Sequence, residues 1–307
     1  MIDAHAHIFQ GLIGYTGGGL VHSLGHGRIR CTSGEERQML APSFADNACT
    51  YDMLLRYMDM QQVDKAVLMQ GGTIGEQNEY TMEACRKHPD RLTGSCTYDP
   101  YTTQAKRQLR YITEELGCHI LKMECSEEYG LAGYHQDFNY ADEHFFELME
   151  TAERLGLTVV IDTGTPGTLA YQPGRMKKLI SHFPKAQVVI AHIGFPPGDL
   201  KDVSGKQAWE EMISLGDLPN VAFDIASLPA LGGEDYPYPL AREYVQMVYK
   251  QFGADKLLFG TDFPGVLTRC TYQQAINYLK NYCDFLTPTE HHQVFHDNAM
   301  RIYKIDA

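Results

Sequence analysis

The sequence is short of positive charge: 26 Lys and Arg stand against 39 Asp and Glu, a formal net charge of −13 over 307 residues. That imbalance argues against nucleic acid or an anionic membrane as the main partner. No apolar run approaches the roughly 18 residues that span a bilayer, and Met1-Ile2-Asp3-Ala4-His5 has neither the basic start nor the apolar core of a signal peptide. A cytoplasmic location is the expectation. The eight cysteines, at positions 31, 49, 85, 96, 118, 125, 270 and 283, form no C-x-x-C pair and are expected to be reduced thiols. Also missing are a G-x-S-x-G elbow, H-E-x-x-H, a Walker A loop and G-x-G-x-x-G, so serine hydrolase, zincin, nucleotide kinase and dinucleotide oxidoreductase readings lose support.

What is present is a chain 44% hydrophobic and 21% charged, able to bury a large core and not disordered. Short apolar runs alternate with amphipathic segments from end to end, the pattern of an α/β protein with a parallel sheet. Eight strand candidates span Ile2–Ile8, Ala66–Gln70, Leu92–Thr97, His119–Glu124, Leu157–Asp162, Val188–His192, Val221–Ile225 and Leu257–Asp262. Helical stripes recur at i, i+3, i+4, i+7 in Tyr51, Leu54, Leu55, Met58 and again in Phe145, Leu148, Met149, Ala152. Gly117 and Gly156 each precede a strand, as helix-ending glycines do, and a closing helix is expected from about Glu290 to Tyr303. Eight strands with interposed helices fit a (β/α)8 TIM barrel better than an open doubly wound sheet. A single barrel domain over residues 1–307 is therefore expected.

Residues 9–50 lie between the first strand and the first helix and hold eight of the 28 glycines, including Gly17-Gly18-Gly19, with His22, His26, Arg28 and Arg30. In a barrel this insertion belongs to the C-terminal rim, where active sites lie. It reads either as a functional lid or as a flexible glycine-rich loop without chemistry.

Chemistry concentrates at strand ends. In Asp3-Ala4-His5-Ala6-His7 strand alternation projects Asp3, His5 and His7 to one side, where two imidazoles on adjacent rungs can share a metal ion. Leu257–Asp262 ends in a carboxylate, and barrel closure would set Asp262 beside His5 and His7. Val188–His192 delivers His192 to the rim, where it could ligate metal, polarise a carbonyl or move a proton. Lys122 and Glu124 share a face of the fourth strand, as an ion pair, a ligand with its counter-ion or an acid/base pair; Asp162 ends the fifth. Each of these residues also has a bland alternative, such as a helix cap for Asp262 or a satisfied core histidine for His192.

Taken in order, these motifs resemble the amidohydrolase superfamily, and within it the amidohydrolase-related branch of aminocarboxymuconate-semialdehyde decarboxylase, resorcylate-type decarboxylases and pyrone dicarboxylate lactonase. The likeness also takes in His88-Pro89-Asp90-Arg91-Leu92, Ala191-His192-Ile193-Gly194 and Asp297-Asn298-Ala299-Met300-Arg301-Ile302-Tyr303. It implies a barrel with one divalent metal ion, zinc or manganese, His5 and His7 as ligands, Asp262 as ligand or base, and His192 in polarisation or proton transfer. One departure stands out: the branch places a histidine at the end of the fifth strand, and this chain has Asp162. Asp162 or Glu124 could complete a harder, oxygen-rich ligand set, which shifts preference toward manganese; a metal-free site, as in the lactonase relative, is the alternative.

The leading expectation is a metal-dependent hydrolase acting on a small lactone, ester, amide or carbon–carbon bond next to a ketone. Alternatives are a non-oxidative decarboxylase of an aromatic or muconate-like acid, a metal-free lactonase, and a non-catalytic ligand-binding barrel. Arg28, Arg30 and Arg175 are candidates to hold a substrate carboxylate, Lys122 is a further candidate substrate contact, and Tyr236 is a candidate to form an aromatic wall. In residues 9–50, Arg28, Arg30 and Arg37 balance Glu35, Glu36 and Asp46, so the insertion need not repel an anionic substrate. The resemblance also allows a homo-oligomer, whose stoichiometry no sequence feature fixes.

Overall fold

Apolar strands that are buried on both faces need a closed sheet with helices around it, and the chain builds one. The computed structural model describes residues 1–14, 20–231 and 233–305. Its strands are β1 (Ile2–Ala6), β2 (Val21–Gly25), β3 (Arg28–Cys31), β4 (Glu36–Gln38), β5 (Lys65–Leu68), β6 (Leu92–Gly94), β7 (Ile120–Glu124), β8 (Thr158–Asp162), β9 (Gln187–Ile190), β10 (Val221–Asp224) and β11 (Leu257–Leu258). β1, β5 and β6 pair in parallel, and β7 through β11 pair in parallel in chain order. Two seams join these runs. At one, Cys96 bridges Leu121, with Lys122 N donating to Cys96 O at 2.8 Å; at the other, Ala6 bridges Phe263, with Ala4 N donating to Phe259 O at 2.9 Å. The result is a (β/α)8 TIM barrel.

Inside and outside follow strand alternation. Leu121 and Ile161 belong to the outer core cluster that also holds helical side chains such as Leu148 and Met149, while Ile120, Val160, Val189 and Leu258 belong to a separate inner cluster. Ala299, Ile302 and Tyr303, from the last helical segment, join the inner cluster and plug one end of the barrel. Polar side chains collect at the other end, where the strands finish. The helical stripes behave as expected: Tyr51–Gln61 is capped by Thr50 and buries Leu54 and Met58, and Glu143–Leu155 is capped by Asp142, buries Phe145, Leu148, Met149 and Ala152, and stops at Gly156 with φ of 67°.

Asp3 departs from the expected geometry. Along β1, Asp3 pairs with Ala66 and Ala6 with Leu68, so three steps on β1 oppose two on β5. This β-bulge resets the alternation: Ile2 and Ala4 face the inner cluster, and Asp3 faces the helix layer, where it accepts from Thr261 N (2.9 Å), Thr261 Oγ1 (2.6 Å), Tyr272 Oη (2.7 Å) and His5 N (3.2 Å). Asp3 therefore staples β1 to the last strand, and only His5 and His7 turn to the site.

The described residues of the insertion are structured. β2, β3 and β4 form an antiparallel sheet, and Phe9 and Cys49 exchange backbone hydrogen bonds of 2.7 and 2.9 Å that zip its two ends. Gly17-Gly18-Gly19 lies outside the described residues. All eight cysteines are free thiols, and among the described residues no helix is long and apolar enough to cross a membrane.

Candidate active site

The polar end of the barrel opens into a cavity of about 250 Å3 with His5, His7, Lys122, Asp162, His192 and Asp262 in its wall. Barrel closure sets the first group. Asp262 N donates to His5 O at 2.7 Å, and Asp262 takes a left-handed backbone, φ 64°, which turns its carboxylate back over the seam. Gly260 permits this closeness, since a Cβ there would lie 2.7 Å from His5 Cβ.

Hydrogen-bond partners fix the histidine tautomers. His7 Nδ1 lies 2.8 Å from Met69 O, a pure acceptor, so Nδ1 carries the proton. His7 Nε2 then faces Asp262 Oδ1 at 2.9 Å, and two acceptors cannot share that distance unless a proton or a cation mediates. His5 Nδ1 donates to Asp224 Oδ2 at 2.9 Å, leaving a buried Nε2 with no partner, 3.9 Å from Asp262 Oδ1. Burial pushes His5 down to about 4 despite Asp224, so this nitrogen is a free lone pair at neutral pH. One donor atom each of His5, His7 and Asp262 lie within 4.8 Å of one another. An orphaned imidazole nitrogen beside an acceptor–acceptor contact, with N and O donors, fits a bound metal ion.

Asp224 escaped the sequence reading. Its buried carboxylate orients His5 and also accepts from His192 N at 2.9 Å and Ala226 N at 3.2 Å. The signal was available: Asp224 ends a buried strand on the same register as inward-facing Ala222, as Asp162 ends β8. A carboxylate behind a ligating imidazole fixes its tautomer and raises its basicity.

His192 sits where β9 ends in a run of left-handed residues: φ is 54° at His192, 43° at Ile193, 71° at Gly194 and 55° at Phe195. Such conformations cost non-glycine residues roughly 1–2 kcal/mol each. They are held by Trp209 Nε1 donating to Ile193 O (2.7 Å), Tyr171 Oη to Gly194 O (2.8 Å) and His192 N to Asp224. His192 Nδ1 donates to Ala226 O at 3.0 Å, and Nε2 lies 3.4 Å from Asp162 Oδ2. Burial opposes its charge, yet Asp162, Asp224 and Asp262 together hold it up at about 10, an imidazolium at neutral pH.

Asp162 and Glu124 stand apart from the metal-ligand groups found among the described residues. Lys122 Nζ, only 1% exposed, donates to Asp162 Oδ2 at 3.1 Å. Burial works against the Asp162 charge, but Lys122 and His192 hold it well below the usual carboxylate range. Glu124 goes the other way: burial, with the Asp162 charge beside it, pushes it up to about 8 while its Oε1 accepts from Ser126 N at 2.9 Å. It lines the cavity as a protonated acid.

Of the candidate substrate contacts, Lys122 lines the cavity with its ammonium on Asp162, and the other four fall elsewhere. Arg28 and Arg30 point from β3 to Glu36, at 3.4 and 2.8 Å, because the antiparallel register sets Arg30 opposite Glu36; both are exposed and neither lines the cavity. Arg175 is exposed on helix Pro173–His182 and donates to Gln172 Oε1, and Tyr236 packs against the rings of Tyr238 and Tyr282. The insertion instead contributes Met39 and Leu40, which carried no chemical signal. Arg37 anchors them: its guanidinium donates to Glu35, Glu128 and Tyr129 Oη, tying β4 to the loop after β7.

Comparison with known proteins bears on the fold and the family. L-fucono-1,5-lactonase from Burkholderia ambifaria is 31% identical over 132 residues, 40% of this chain and 43% of the relative. The chain matches under half the length of its curated relatives. Over 99% of this chain and of the other, the fold matches an amidohydrolase from Burkholderia multivorans with bound zinc, at 14% identity and a TM-score of 0.73. A probable 2-pyrone-4,6-dicarboxylic acid hydrolase from Acinetobacter baumannii, with citric acid bound, matches 99% of this chain and 98% of its own at 19% identity and a TM-score of 0.69. The family model described as amidohydrolase covers residues 2–305, and the chain belongs to that family.

Proposed function

We propose that the chain is a hydrolase that adds water to the carbonyl carbon of a small lactone or ester, in a single barrel domain whose residues 9–50 serve as a lid. The observation that carries it is the convergence of the orphaned His5 Nε2 and the His7–Asp262 acceptor pair on one point of the cavity. His5, His7 and Asp262 would hold one divalent ion. Bound there, it would polarise the carbonyl and acidify water from ~16 toward ~7, which a carboxylate held as low as Asp262 needs if it is to take the proton. Asp262 accepts that proton as water oxygen bonds to the carbonyl carbon. His192, fixed as a cation by Asp162 and Asp224, favours the negative charge that develops on the carbonyl oxygen. When the carbon–oxygen bond breaks, Glu124 supplies the proton to the leaving oxygen.

Two outcomes test this scheme. Protein purified without added metal and treated with a chelator is expected to lose lactone hydrolysis and regain it with zinc or manganese; full turnover after chelation would leave only a metal-free lactonase. Because metal ligands bind in their deprotonated form, affinity for the ion should rise with pH, read by competition with a chelating dye at pH 6 and pH 8. Glu124 gives the second. An acid with a pKa of about 8 is active in its protonated form, so kcat should fall as pH rises through about 8. Glu124→Gln should lower kcat roughly 10²-fold and remove that alkaline limb; a limb that persists assigns it to another group. Release of CO2 from an aromatic acid without net water addition would replace hydrolysis by decarboxylation.

A further inference from the structure

The walls of the cavity have a composition that the catalytic floor does not explain. Above the polar residues, Phe9, Leu12, Met39, Leu40, Ile74 and Phe195 surround the space, drawn from the insertion, the loop after β5 and the left-handed turn after β9. Phe9, Leu12, Leu40 and Ile74 are buried even though they face the cavity. No arginine lines it among the described residues. Lys122 is the one lysine in the wall, and its ammonium is committed to Asp162. Glu127 and Glu128 stand at the same wall, one accepting from Leu169 N and the other paired with Arg37, whose donors are taken by Glu35, Glu128 and Tyr129.

From this we infer that the site takes a neutral lactone with an apolar body, an aromatic or alkyl ring system, rather than a carboxylated or polyhydroxylated one. The inference rests on the hydrolase activity proposed for this site. A substrate carboxylate would leave water and meet apolar side chains and carboxylates with no free guanidinium to receive it, a loss that few contacts recover. Gln70, Thr73, Ser126, Thr165, Thr168 and Ser227 also line the cavity and can meet single polar groups, but the several hydroxyls of a sugar lactone would lose water partners against the six apolar side chains. An apolar ring gains by leaving water, and six apolar side chains are enough to cover it. The chemistry balances as a ring opening: water oxygen bonds to the carbonyl carbon, the ring carbon–oxygen bond breaks, and the freed oxygen takes one proton to give a hydroxy acid.

The test compares dihydrocoumarin, 2-pyrone-4,6-dicarboxylate and glucono-1,5-lactone on the metal-loaded enzyme. Dihydrocoumarin is expected to show a kcat/KM at least about tenfold above the other two. Leu40→Arg should lower that value for dihydrocoumarin and raise it for the dicarboxylate. Binding gives a readout independent of turnover: calorimetry with the unreactive amide analogue 3,4-dihydro-2-quinolinone and with its 4-carboxylate should find the neutral compound bound at least tenfold tighter. Equal or reversed affinities overturn the substrate class whatever the turnover. Tight neutral binding with no hydrolysis of any of the three lactones overturns the hydrolase activity and leaves the class intact.

Discussion

Asp262→Asn is expected to yield a folded protein whose kcat is lower by about 10³-fold. Asparagine keeps the volume of the side chain and is, with aspartate, among the residues that best tolerate the left-handed backbone at this position. What it removes is the charge. Burial alone would raise the Asp262 pKa, but His7, His192 and His5 hold the carboxyl well below the usual range, so it is fully ionised at any working pH. Without the carboxylate, His7 Nε2 loses the negative group 2.9 Å away, the proposed ion loses one of its three protein ligands, and the proton of water has no acceptor. A melting temperature within a few degrees of wild type, together with lost turnover and weakened metal binding, is the expected pattern. An unchanged kcat would remove Asp262 from the chemistry.

Asp3→Ala is expected to destabilise the fold by about 3–5 kcal/mol, measured by denaturant unfolding, through a different mechanism. Its carboxylate is wholly buried and accepts four hydrogen bonds from Thr261, Tyr272 and His5, all of which would be left unpaired. Burial outweighs these bonds and raises its pKa from 3.8 to about 6. The folded protein thus binds this proton more tightly than the unfolded chain does, so the contribution of Asp3 to stability is largest below about 4 and declines as pH rises to about 6. The decline is of order 3 kcal/mol. Asp3→Asn, which cannot titrate, should flatten the stability profile over that interval; a slope equal to wild type would assign the titration elsewhere.

These two aspartates lie at the same seam, and the sequence reads them alike, each beside the paired histidines. Asp262 could be placed because barrel closure follows from strand count, and the eighth strand of a closed barrel must pair with the first. Asp3 could not, because a bulge in β1 moves one residue to the other face and leaves no trace in the hydrophobic pattern. The same limit separates Asp162 from Glu124. Both end inward-facing registers of neighbouring strands and both read as spare metal ligands. Their opposite ionisation arises because Lys122 and His192 hand their charge to Asp162 and leave Glu124 beside a negative group.

The sequence by itself determined the barrel, since eight apolar runs with interposed amphipathic stripes have few other ways to bury both faces of their strands. It also determined the stock of polar groups at the strand ends, because periodicity and local order survive in one dimension. Only the tertiary structure decided which of those groups meet. Asp224 reaches His5 across 219 positions, Arg37 reaches Tyr129 across 92, and Met39 and Leu40 become cavity wall because that latch holds the insertion against the barrel. Arg28 and Arg30, the residues with the plainest anion-binding chemistry, are taken by Glu36 through a hairpin register. Contacts of this kind depend on distances between side chains far apart in the chain, and charge or polarity at a single position carries no record of them.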